Sequence, residues 1–236
     1  MNNAEKKDAR AKARRKAAAS QGLAKSSDAL RQAILNQDLL LARQAASVAG
    51  NLDDSSRMSC TFLGLAAQKG WIEGMEMLLG AGAGMEARDR TDCSALEEAI
   101  CAKQAPAALW LLERGASALG ADQQGRTPLM IAVSHELQEA ARALLAAGAD
   151  PSAVDHSGES ALTRAVKTNS VEMLRVLIEA GMDLDTRNSQ GVTPAQAARA
   201  FGHEACAGMI ESAIEARELS KAVPGLAAPA KRPPRV

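Results

Sequence analysis

The sequence has no tyrosine, two phenylalanines and two tryptophans among 236 residues. A core built around large rings is excluded. Ala, Leu, Val, Ile and Met have to fill the interior instead. Alanine is abundant, at 51 residues. It is the strongest helix former and small enough to let helices approach closely. The expected core is therefore thin and mostly helical. Long apolar runs are also missing: none approaches the ~20 residues of a membrane span. Cysteine is scarce, and the four present include no C-x-x-C pair. No disulfide framework is read, and a reducing compartment is the simplest setting. The start is basic (Lys6, Lys7, Arg10, Lys12, Arg14, Arg15, Lys16), but no Leu-rich stretch follows. It is not read as a secretory leader, and a cytoplasmic location is expected.

What is present in strength is a repeat. Leu30, Leu63, Leu96, Leu129 and Leu162 stand 33 residues apart, and Ala195 takes the next step. Three residues after each comes Ala33, Ala66, Ala99, Ala132, Ala165 or Ala198. Fifteen residues after stand Ala45, Leu78, Leu111, Leu144, Leu177 and Ile210, and nineteen after stand Gly82, Gly115, Gly148 and Gly181. Two residues before are Thr61, Ser94, Thr127, Ser160 and Thr193, and seven before are Ser56, Asp89, Asp122, Asp155 and Asn188.

Each recurring position has a physical reason. Thr127-Pro128-Leu129 reads as a helix start, because the hydroxyl accepts a bond from a free first-turn amide and proline lacks an amide that would have no partner. Leu129, Ala132 and Val133 then form one narrow apolar face at helical spacing. A second helix follows with Ala140, Ala141, Leu144 and Leu145. It stops at Gly148, where positive φ satisfies the last carbonyls.

The period of 33 and the pattern running from Asp122, Gly125, Thr127, Pro128 and Leu129 to Leu144, Leu145, Gly148, Ala149 and Asp150 resemble the ankyrin repeat. Six repeats are read over 26–212, the first degenerate and the last a cap, with a basic tail at 1–25 and a helix extension leading into a basic tail over 213–236. The resemblance implies an all-α solenoid of stacked helix-turn-helix units joined by hairpin loops. Departures from the pattern carry their own expectations. Ser59 and Asp92 replace the turn glycine, so those hairpins are expected to be less regular. Arg199 and Glu211 replace small or apolar residues in the last repeat, as suits a solvent-facing cap.

Catalysis needs a nucleophile, a base and an orienting group brought together. The three histidines, His135, His156 and His203, fall at unrelated repeat positions. Cys60 and Cys93 occupy equivalent positions in adjacent repeats, too far apart for a disulfide at a helix-packing distance of ~8–10 Å. Cys101 and Cys206 are read as small packing residues, and Trp71 and Trp110 as packing between repeats. No metal site, cofactor or phosphate-binding loop is read, and an enzyme is not expected. Zero net charge hides three unlike parts. Residues 1–25 carry eight Lys/Arg and two acids, residues 26–212 carry 15 against 24, and residues 213–236 carry five against two. The acidic repeats, with almost no aromatic rings, do not read as a nucleic-acid surface.

The remaining reading is a monomeric adaptor, inhibitor or scaffold that binds a partner protein, with no small-molecule substrate and no membrane. An acidic body calls for a partner with a basic patch. In the family it resembles, contacts come from hairpin tips and the exposed ends of first helices on the concave face. By repeat position these are Arg57, Met58, Gln68, Lys69, Arg90, Thr91, Gln123, Gln124, Arg126, Ser134, His135, His156, Ser157, Glu159, Lys167, Ser189, Gln190 and Phe201. Two alternatives stay open: a bacterial effector exported without a cleaved signal, to which the Ala-rich composition points, and a regulator touching nucleic acid through residues 1–25.

Overall fold

The computed structural model describes residues 26–54, 60–188 and 190–222. The calls on the 1–25 tail, on residues 223–236 and on Arg57, Met58, Ser59 and Ser189 lie outside the described residues. Among the described residues the regular structure is helical, with one isolated antiparallel bridge between Val154 and Ser160. The chain divides into two compact units, Met1–Ala149 and Asp150–Val236.

In the first unit, helices alternate between two layers. First helices of the repeats are α1 (26–36), α3 (Phe62–Gln68), α5 (Ala95–Cys101) and α7 (Pro128–Ser134). Second helices are α2 (Leu39–Val48), α4 (Ile72–Gly80), α6 (Ala105–Glu113) and α8 (Gln138–Ala146). Within the first layer, α3 packs on α5 and α5 on α7, while α2 packs on α4 and α6 on α8 in the second. The second unit repeats the scheme: α9 (Ala161–Lys167) packs on α11 (Pro194–Ala200), and α10 (Val171–Glu179) on α12 (Glu204–Ala222).

The recurring residues explain why each helix starts and stops. Thr61, Ser94, Thr127, Ser160 and Thr193 each accept a bond from the amide three residues on, at 3.0–3.4 Å. Such a cap contributes about 1 kcal/mol. First helices end on an αL residue seven positions after the frame leucine: Gln37, Gly70, Lys103, Glu136, Asn169 and Gly202 have φ of 52–75°. The next amide then bonds back to the recurring alanine, as from Trp71 to Ala66 and from Leu137 to Ala132. This is a Schellman closure.

Packing follows the period. Leu63, Leu96, Leu129 and Leu162 are buried, as are Leu78, Leu111, Leu144, Leu177 and Ile210. Ala66, Ala99, Ala132, Ala165 and Ala198 between them have no exposed surface, so a larger side chain has no room there. Trp71 is buried, and its ring lies where a Cβ on Gly74 would stand, which fixes glycine at that position. Trp110 departs from the packing expectation: it is half-buried, with the Arg114 guanidinium 3.7 Å from its ring centre. At the end of the second unit, Arg217 of α12 donates to the carbonyls of Met182 at 2.5 Å and Ile178 at 3.1 Å. Polar replacements in the last repeat also find a use, as Arg199 and Glu211 pair at 2.8 Å.

Candidate functional site

Every described hairpin is held by one side-chain oxygen. Asp89 Oδ1 accepts from the amides of Thr91 at 2.7 Å and Cys93 at 3.0 Å. Asp122 does the same for Gln124 and Arg126, both at 2.9 Å. Asp155 holds Ser157 at 2.8 Å and Glu159 at 3.0 Å, and Asn188 holds Gln190 and Val192 at 3.0 Å each. The turn then closes through a left-handed residue. Asp92 takes φ 62°, beside 75°, 77° and 74° at Gly125, Gly158 and Gly191. The expectation of an irregular hairpin at Asp92 is thus corrected. A short polar side chain tolerates the left-handed region, and the same backbone bond closes the turn, from Asp89 to Cys93 at 3.0 Å.

In the first unit these tips and the first-helix ends form one polar face. Gln68 donates through Nε2 to Glu98 at 2.5 Å, bridging neighbouring repeats. Gln123 links two hairpins, its amide to the Thr91 carbonyl at 3.2 Å and its Nε2 to the Arg90 carbonyl at 2.6 Å. Arg126 pairs with the buried Asp122 at 2.6 Å and also reaches Gln124 at 3.3 Å. Ser134 turns its hydroxyl back to the Met130 carbonyl at 2.9 Å. Lys69, Arg90, Thr91, Gln123 and Gln124 are exposed, and His135 caps α7 half-buried. Burial pushes the His135 imidazole down, and the nearby Lys103 and Arg126 cations add to this. Burial pushes Glu98 up to about 7 against the Gln68 bond, with Asp89 and Glu97 adding to the rise. Cys101 is exposed at the end of α5, which corrects its reading as a packing residue; Cys206 is buried.

The second unit carries a groove of about 450 Å³. Its hairpin wall is Ser157, Gly158, Glu159, Asn188, Gln190 and Val192, and its helix wall is Thr163, Lys167, Ala197, Ala200 and Phe201. Val192, the two alanines and Phe201 supply apolar surface, while the serine, asparagine and glutamine rim offers hydrogen bonds. Phe201 leaves 52% of its surface open and leans on the His203 ring at 5.8 Å between centres. His203 is itself held by the Val166 carbonyl at 2.8 Å, so this wall is positioned from behind. Lys167 pairs with Glu159 across one end, and Arg164 with the buried Asp155 behind it. Asp155 is held down to about 2: burial raises it, but bonds from Ser157, the Glu159 amide and Arg164 outweigh that rise.

The groove brings together Ser157, Glu159, Lys167, Gln190 and Phe201 from the sequence-selected set, and leaves exposed His156 outside it. Ala200, named with Phe201 by its repeat position, also lines it, and sequence reasoning missed Thr163, Asn188, Val192 and Ala197. A signal existed for Val192, which stands at the repeat position of Glu159. Thr163 and Ala197 lie earlier on their helices, on a face that helix-end reasoning skips. Among the described residues no three His, Cys, Asp or Glu side chains are grouped to hold a metal ion. No described helix is long and apolar enough to cross a membrane.

Comparison with known proteins agrees with this geometry. A family model of ankyrin repeats in three copies matches residues 63–155, and one of ankyrin repeats in many copies matches 138–178 and 162–209. A crystal structure of an ankyrin repeat domain from Acinetobacter baumannii is similar at 27% identity and TM-score 0.70, over 78% of this chain and 96% of that one. The ankyrin repeat domain of Bcl-3, described as a unique member of the IkappaB family, is similar at 27% identity and TM-score 0.73, over 78% and 85%. No curated protein sequence matches. With matched segments running from 63 to 209, over half of the sequence, the chain belongs to the ankyrin repeat family.

Proposed function

We propose that this chain is a non-enzymatic protein-interaction module, an adaptor, inhibitor or scaffold that docks a partner protein on its hairpin tips and first-helix ends. Ankyrin repeats generally mediate protein–protein interaction. The observation that carries the reading is the groove of the second unit, where a half-exposed Phe201 and a small-residue floor sit beside a rim of hydrogen-bonding groups. An apolar anchor with a polar rim is the arrangement of a binding hot spot. The groove residues are fixed by caps, hairpin bonds and the His203 contact, so a partner docks with little rearrangement and small ordering cost.

The test is retention of a partner from native extract by the immobilised full chain. Phe201→Asp and Lys167→Glu are expected to weaken retention at least about tenfold, the effect of losing a hot spot of the usual size. Arg175→Ala, on the outer helix α10, is expected to leave it unchanged. Equal retention by all three variants contradicts the proposal.

A further inference from the structure

Charge is distributed unevenly over the first unit. Its exposed carboxylates stand mainly on second helices and the loops that follow: Glu73 and Glu76 on α4, Glu86 beyond it, Glu113 at the end of α6 and Glu139 on α8. Exposed cations stand on or beside those helices too, at Arg43, Arg114 and Arg142, while hairpin tips and first-helix ends carry exposed cations with Asp89, Glu97, Glu98 and Asp122 buried or half-buried among them. Lys69, Arg90 and Lys103 are exposed there and form no ion pair among the described residues. Arg126 adds a fourth cation, paired on one side with Asp122. The exposed acids on this face are Asp92, already facing Arg88 at 3.9 Å, and Glu136. After burial, the Lys103 and Arg126 cations both add to the lowering of the His135 imidazole. Lys103 also holds φ 58°, where glycine serves without strain at Gly70 and Gly202.

We propose that this face, centred on Arg90, Lys103 and Arg126, takes an acidic, extended segment of the partner protein. The inference rests on the protein-interaction reading above and deepens it. It departs from what the overall charge of residues 26–212 implies, because most of the exposed carboxylates of this unit stand on the outer helices and the loops that follow, while Lys69, Arg90 and Lys103 are exposed at the tips and first-helix ends. A protein segment fits better than nucleic acid. The face has no exposed Phe, Trp or Tyr on which a base stacks.

The test measures binding of the full chain to a fluorescein-labelled Glu-rich peptide, its Lys-rich counterpart and a single-stranded oligonucleotide, by anisotropy at low and high salt. The Glu-rich peptide is expected to bind best and to weaken with salt. Arg90→Glu combined with Lys103→Glu is expected to weaken it at least about tenfold, since both reversals set like charges opposite the segment. Lys103→Gly, which the backbone accommodates, is expected to act in the same direction. Phe201→Asp is expected to leave this peptide bound. Preference for the Lys-rich peptide or the oligonucleotide overturns the proposal, as does indifference to Arg90 and Lys103. If the Glu-rich peptide fails to bind while extract retention still depends on Phe201, the acidic-segment inference falls and the interaction reading stands. If retention is also indifferent to Phe201, both fall.

Discussion

Asp155→Ala is expected to cost the fold about 3–5 kcal/mol, and Asp155→Asn only about 2 kcal/mol, because the two substitutions remove different bonds. In the native hairpin, Oδ1 accepts from the Ser157 amide at 2.8 Å, the Ser157 hydroxyl at 2.6 Å and the Glu159 amide at 3.0 Å, while Oδ2 meets Arg164. A neutral hydrogen bond nets about 1 kcal/mol, and one to a charged group about 1.5–3 kcal/mol. Alanine forfeits all of them and leaves Arg164, whose side chain is 17% exposed, without its main partner. Asparagine keeps an oxygen for the two amides, as Asn188 does at the same repeat position. The charge also sets a pH dependence. The folded carboxyl is held below its ordinary 3.8, at about 2, so its contribution is present above 3.8 and is lost as pH falls through about 2. Urea unfolding of the full chain, followed by far-UV circular dichroism across acid pH, measures both effects. Equal losses in the two variants, or a gap between wild type and Asp155→Asn that persists at the lowest pH, refute the reasoning.

Three further outcomes are expected. Glu136→Gly removes a side chain from a left-handed residue at φ 59° and is expected to stabilise by about 0.5–1 kcal/mol, read as a rise in Tm; a fall would show that the side chain contributes more than the strain costs. Glu98 is pushed up from 4.5 to about 7, so its protonated form is favoured by the fold and stability falls as pH rises between those values. Glu98→Gln is expected to flatten that slope, by on the order of 1–2 kcal/mol once solvent screening of the half-buried group is allowed for, and an unchanged slope in the variant assigns it elsewhere. Ala132→Leu forces extra atoms between α7 and its neighbours, and chemical denaturation is expected to register a loss of about 1–3 kcal/mol; a neutral result would mean that the layers are looser than the buried alanines imply.

Much of the fold was legible because its causes are local and periodic. Thr127 with Pro128, the alanine ladder and the glycines after second helices each announce a cap, a close approach or a turn. The left-handed ends of first helices were harder to read. Gly70 and Gly202 mark the position, but Lys103 and Glu136 conceal it, since nothing in a lysine codon betrays a positive φ. Asp92 hid a regular turn in the same way. At the candidate site, tips and helix ends were legible by repeat position, as Ser157, Glu159, Lys167, Gln190 and Phe201 attest. Ala200 was legible in the same way, but Thr163 and Ala197 were not, because nothing sets them apart from other helix residues until the neighbouring hairpin is in place. Net charge is silent on the site for a related reason: a sum over residues carries no direction, and where the charges stand is set only once the layers are folded.

The most direct measurement is hydrogen–deuterium exchange of the full chain with and without a retained partner. Protection is expected in the hairpins carrying Arg90, Gln123, Ser157 and Gln190 and at the first-helix ends near Lys103, Lys167 and Phe201, with α4, α6, α8 and α10 unchanged. Protection confined to the outer helices, with the hairpins exchanging as in the free chain, would contradict the account.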